Sequence, residues 1–178
     1  VVKSVKVRLP WLLVTLFGGL ISGFIMNHIE ADLKAVVALT YFIPLLLGLG
    51  GNAGTQSSTV TVRGISTGQI DSSKIIYNVI RDSLVGMCVG LFCGILLCGV
   101  AYAWIGDTAL SILVGLTLVC NMTIASSIGT LVPLLLKRIG IDPAASAAPF
   151  ISTGSDIIGL LVYSAWASIF MPLLAGLL

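Results

Sequence analysis

A single carboxylate, Asp156, lies in the middle of an apolar run, Pro149 to Tyr163, that reads PFISTGSDIIGLLVY. No other acidic residue of the chain is set so far inside an apolar segment. At the centre of a membrane helix an Asp costs roughly 2.5–3.5 kcal/mol, so such a residue normally faces a bundle interior or a wet cavity and marks an ion or proton site. Ser152 and Gly159 stand one helical turn to either side of it, which predicts a small polar face with room for water or a cation. The competing reading is a packing face in which a protonated Asp bonds a neighbouring backbone. A second polar group occupies Phe42 to Gly64, FIPLLLGLGGNAGTQSSTVTVRG. Its glycines permit close backbone approach or local unwinding that turns carbonyls toward a cavity. Asn52, Gln56, Thr59 and Arg63 recur at helical spacing on one face, Thr55 adds a hydroxyl to the same stretch, and Pro44 is expected to kink the helix just before. Asn52, Thr55, Gln56 and Thr59 are therefore candidates to line a hydrated pathway. Tight helix packing is the alternative.

This inventory favours a hard cation. A zinc or copper site calls for His, Cys or several carboxylates. The four cysteines, Cys88, Cys93, Cys98 and Cys120, form no CxxC pair and have no His nearby. What the spans offer is oxygen: hydroxyls, amides, backbone carbonyls and one carboxylate. Mg²⁺ suits such a set, because it dehydrates reluctantly and keeps several waters at roughly 2.0–2.1 Å. One negative charge is thin for a divalent ion. Two copies meeting about a two-fold axis would bring two Asp156 carboxylates to one cation, which offsets the repulsion that would otherwise return a proton to one of them. A homodimer is the expectation. GGNAG lacks the Lys and the preceding strand of a phosphate loop, an aspartyl protease needs a second deep carboxylate, and no enzymatic activity is expected.

Membrane helices carry these residues. The chain has 178 residues, 57% of them hydrophobic and only 9% charged, with a mean hydropathy of +1.13. That is too little charge for a soluble surface and predicts an all-α polytopic membrane protein embedded in lipid. The few basic residues are scattered between apolar runs, so no nucleic-acid partner is indicated. Five spans are predicted: Leu9 to Ile29, Leu33 to Val62, Leu84 to Ile105, Ala109 to Leu136, and Pro143 to Leu178. They make a single transmembrane domain, 1–178. The second and fifth exceed one straight crossing and must tilt, break or project. The segment Arg63 to Arg81 has room for one short amphipathic helix. Polar residues of the fourth span, Asn121, Thr123, Ser126, Ser127 and Thr130, are expected to serve packing and interhelical hydrogen bonds. Trp11, Tyr102 and Trp104 are placed as interfacial anchors. His28 with Glu30 and Asp32 reads as a solvated loop.

If the five spans alternate, Lys3, Lys6, Arg8, Arg63, Lys74, Arg81, Lys137 and Arg138 fall on one side and only Lys34 on the other. That bias predicts a cytoplasmic N-terminus and an outward C-terminus.

PLLLGLGGNAGTQSSTVTVRG, KRIGIDPA and PFISTGSDIIGLLVY together resemble the MgtE family of magnesium channels, along the whole chain and in order. The resemblance implies a homodimer with the pore on its two-fold axis, lined by the second and fifth helices, in a bacterial-type inner or plasma membrane. It implies Mg²⁺ as the transported ion, with Mn²⁺, Co²⁺ or Ca²⁺ as possible substitutes. It implies that Asp156 matches the central ion-recognising Asp, and that backbone oxygens of Gly48, Gly51 and Ser152 contact the ion's water shell. Ala148 stands where some relatives carry Asn. Full-length members carry cytoplasmic regulatory domains, including a CBS pair, and the chain is expected to be the membrane part of such a protein. Channel conduction is the leading reading; a Na⁺- or H⁺-coupled divalent cation exchanger is the alternative.

Overall fold

The computed structural model describes residues 2–28 and 37–174, and every regular element among them is helical. Helix α1 is Val2–His28. A 3-10 turn, Val37–Phe42, leads into α2, Ile43–Ser66. Helices α3, α4 and α5 are Ile75–Ile105, Thr108–Arg138 and Pro143–Leu174. All five are long and apolar enough to cross a membrane. The sequence places them correctly but misjudges some ends. Residues 75–81 form no separate amphipathic helix; they are the first two turns of α3. Pro44 introduces no kink, because it sits at the start of α2, where its missing N–H has no helical partner to lose. Nor does α2 unwind at its glycines; it is helical throughout. Glu30, Asp32 and Lys34 lie outside the described residues, and His28 ends α1 exposed, its Nδ1 3.0 Å from the Phe24 carbonyl.

The connections explain the ends. Gly106 at φ 79° closes α3, its N–H donating to the Tyr102 carbonyl, and Asp107 caps α4 by accepting from the Leu110 N–H at 2.7 Å. This two-residue turn makes α3 and α4 antiparallel neighbours. At the other end of the bundle, Gly140 at φ 79° ends α4, and the Asp142 carboxylate accepts from the Ala144 N–H at 3.0 Å where α5 begins with Pro143. In the α2–α3 loop, Asp71 accepts from the Ser73 hydroxyl at 2.6 Å and the Ser73 N–H at 3.0 Å. These bonds, with Lys74 alongside, hold its carboxyl below the usual carboxylate range. The turn's stabilisation is therefore present above the ordinary carboxylate pKa and fades as pH falls through the lowered one.

Helix α4 is the most enclosed and packs against α2, α3 and α5; α2 also meets α5, and α1 leans chiefly on α5. Glycines set the closest approaches. A Cβ added at Gly94 of α3 would stand 2.8 Å from the Gly115 carbonyl oxygen of α4, and the reverse distance is 2.9 Å. This is the small-residue contact by which membrane helices associate without a hydrophobic driving force between them. The core gathers at one end, around Leu39, Phe42, Leu46, Leu113, Leu118 and Tyr163. There the Tyr163 hydroxyl donates to the Leu39 carbonyl at 2.6 Å, and Trp104 stacks on Tyr41 while remaining largely exposed. The opposite end brings together Arg63 of α2, the α2–α3 loop, Arg138 of α4 and the start of α5. Trp11 of α1 meets Phe150 of α5 nearer that end, at 6.0 Å between rings. The described basic residues thus share one end of the bundle. Large apolar side chains, among them Phe17, Phe24, Phe92 and Ile95, cover the outside.

Candidate cation pathway

Helix α5 presents Asp156 half-buried, one residue after Ser155, which is buried. Ser155 fixes the register against α2: a Cβ added at Gly51 would lie 3.8 Å from its Oγ. Gly51 and Asp156 are therefore held at one level by adjoining helices. Ser152, a turn earlier, is half-buried, and its carbonyl accepts from the Ser155 hydroxyl at 2.9 Å. The Gly51 carbonyl accepts from the Thr55 hydroxyl at 2.8 Å, and the Thr55 carbonyl from the Thr59 hydroxyl at 2.9 Å. Both threonines bond back along their own helix, which ties the oxygens of this α2 face into one string. Gly48 is exposed, with no atom within 4 Å of an added Cβ. Asn52 is exposed as well.

A groove of about 400 Å³ runs between α2 and α5 toward the basic end. Thr55, Thr59 and Arg63 line it from α2, and Ala148 and Ile151 from α5. Among the described residues, no carboxylate lines it. Asp156 lies eight residues, or about 12 Å, along α5 from Ala148. A single chain therefore offers an approach with the Thr55 and Thr59 hydroxyls on its α2 side and apolar residues on its α5 side, ending below the acid.

Two expectations are corrected by this geometry. Gln56 does not share the groove of Thr59 and Arg63; it lines a different one, of about 160 Å³, with Ser57, Asp82 and Ser126. Gly159 does not belong to an open face around Asp156. It is buried, and an added Cβ would meet the Asn121 amide atoms at 3.0 Å and Leu47 at 3.1 Å.

Asn121 is the residue that organises this level from behind. It is 1% exposed, and its Nδ2 donates to the Leu46 carbonyl of α2 at 2.8 Å. Gly50 of α2 covers its other side, where an added Cβ would come to 2.5 Å. One amide thus seats α2 and α5 against α4 at the height of Asp156, in keeping with the packing role expected of the fourth span. Ser83 and Ser127 join α3 to α4 at 2.6 Å in the same way. The four cysteines are unpaired, and no cluster of three or more His, Cys, Asp or Glu occurs among the described residues.

Sequence reasoning missed Asp82. It starts the third span's apolar run only at Leu84 and leaves Asp82 in a loop, whereas α3 carries Asp82 two turns inside. Its partner, the Thr130 hydroxyl, donates to it at 2.7 Å from 48 residues away, beyond the reach of any local pattern.

Residues 43–166 match the family model described as MgtE, divalent cation transporter. The chain is similar to three curated proteins, each named magnesium transporter MgtE. It is 38% identical over 164 residues to that of Bacillus subtilis, covering 92% of this chain and 36% of the relative. With the Thermus thermophilus protein it is 37% identical over 156 residues, covering 88% and 34%. With that of Enterococcus faecalis it is 34% identical over 169 residues, covering 95% and 37%. The chain thus spans about a third of the length of these relatives.

Proposed function

We propose a transport function for this chain, which belongs to the MgtE family of divalent cation transporters: it passes partly hydrated Mg²⁺ through a pore shared by two copies, with Asp156 at its centre. The observation that carries this reading is Asp156 itself, a carboxylate half-exposed on a membrane-length helix, level with Gly51 of α2 and above a groove that Thr55 and Thr59 line. A carboxylate so placed needs a cation or a proton. Two such groups about a two-fold axis hold a divalent ion through its waters, which suits Mg²⁺ better than direct ligation by a full protein cage. Gly48, Gly51 and Ser152 face the water shell in this scheme, and Thr55 and Thr59 line the way to it. The cytoplasmic N-terminus, the outward C-terminus and regulation by cytoplasmic domains of a longer protein belong to the same proposal.

The test is Mg²⁺ uptake by proteoliposomes without a Na⁺ or pH gradient. Uptake driven by the Mg²⁺ gradient and scaling with membrane potential is the expected result. Uptake only in the presence of a counter-ion gradient overturns conduction in favour of coupled exchange.

Ala148 offers a second measurement. It is exposed in the groove, so Ala148→Asn adds an amide without steric conflict. Expression and thermal stability should stay at the parent level, while the Mg²⁺/Ca²⁺ uptake ratio shifts severalfold. An identical ratio would remove Ala148 from the ion's path.

A further inference from the structure

Asp82 occupies a place that the Asp156 pathway does not use. It is half-buried on α3, and its Oδ2 accepts from the Thr130 hydroxyl of α4 at 2.7 Å. Thr130 in turn accepts from the Thr61 hydroxyl of α2 at 3.2 Å, and both threonines are 2% exposed. The carboxylate is therefore held by a hydrogen-bond chain that runs through three helices. Among the described residues no Lys, Arg or His lines its groove, which is formed instead by the Gln56 amide and the Ser57 and Ser126 hydroxyls among apolar walls. Gly86, one turn after Asp82, makes the arrangement possible: an added Cβ would stand 2.6 Å from Ser126 Oγ. At about 160 Å³ the groove holds several waters, each of which takes about 30 Å³ in the liquid.

We propose that Asp82, Gln56, Ser57 and Ser126 form a second cation site, on the side of α2 turned from α5, that takes a hydrated divalent cation. The donors are all oxygen: one anion, one amide and two hydroxyls. They favour a hard ion over zinc or copper. A carboxylate in an apolar wall needs a counter-charge, and no described side chain in the groove supplies one. The volume leaves room for the ion to keep most of its waters. Thr130 holds the acid in place; it is a positioning residue, not a ligand.

The experiment uses the full chain purified in lipid nanodiscs, with Mn²⁺ as the probe, read by electron paramagnetic resonance of the unbound ion. Asp156→Ala removes the carboxylate of the proposed pore, so the result does not depend on the pore assignment. That variant is expected to keep saturable Mn²⁺ binding, about one ion per chain, displaced by Mg²⁺. Adding Asp82→Asn, which preserves an acceptor for Thr130, should weaken the residual binding at least tenfold with the thermal unfolding midpoint unchanged. Adding Gln56→Glu instead, which brings a second negative charge to the groove, should tighten it about tenfold. No saturable binding in Asp156→Ala overturns the site. So does residual binding that is indifferent to Asp82→Asn and Gln56→Glu. Should Asp82→Asn fail to fold, the Gln56→Glu result decides.

Discussion

Asp156→Ala is expected to bring Mg²⁺ uptake down to the level of empty vesicles while leaving the chain folded. The side chain is half-exposed and fills no core cavity, so its truncation removes charge without opening a void. Near a protein surface, two unit charges 4 Å apart attract by about 4 kcal/mol at an effective dielectric of about 20. Each ~1.4 kcal/mol is a factor of ten in occupancy, so losing even half of that attraction for a divalent ion lowers binding more than tenfold. Asp156→Asn keeps a polar oxygen and loses the charge; its uptake should fall between the two. Fluorimetric Mg²⁺ flux into proteoliposomes measures both, with thermal unfolding in detergent as the control for folding. Parental flux through a folded Ala variant would remove Asp156 from the pathway.

The second large effect is expected at Gly129, where α4 meets the backbone of α2. A methyl group there would overlap the Gly54 carbonyl oxygen of α2, a backbone atom that cannot move aside. Gly129→Ala should therefore separate α2 from α4. Overpacking of this kind costs typically ~1–3 kcal/mol. A chain of this size loses about 2–4 °C of melting temperature per kcal/mol, so a drop of several degrees is expected in a thermal scan. Uptake should fall with it, because α2 carries Gly48, Gly51 and Thr55. Gly48→Ala is the contrasting case: with nothing within 4 Å of the added carbon, its melting point should match the parent. An unmoved midpoint for Gly129→Ala would mean that the two helices do not touch there in the membrane.

The five helices were legible because each is an apolar run longer than a bilayer requires, and lipid leaves the backbone no other regular choice within one segment. Helix ends were less legible where a charge interrupts the run. Arg81 and Asp82 break the hydropathy of α3, yet the helix continues through them because Thr130 satisfies the acid from another element. Helical spacing alone makes the polar stripe of α2 one surface. At about 100° per residue, Gln56 and Thr59 differ by about 60° around the axis. With α5 on one side and α3 and α4 on the other, that angle is enough to send them into separate grooves. Such a division depends on which neighbours flank the helix, and periodicity alone carries no information about them. The Asn121 tie was legible in kind, as an interhelical hydrogen bond, but not in its partner, the Leu46 carbonyl 75 residues earlier.

The packing of α1 has a mechanical consequence. Its main seat is on α5, where Thr153 rests against Gly18, and most of its remaining surface is exposed. Thr153 lies three residues before Asp156, less than one turn away. Any tilt or slide of the amino-terminal rod is thus delivered to α5 just beneath its acid before the other helices feel it. Swapping Gly18 for a bulkier residue would jam that bearing.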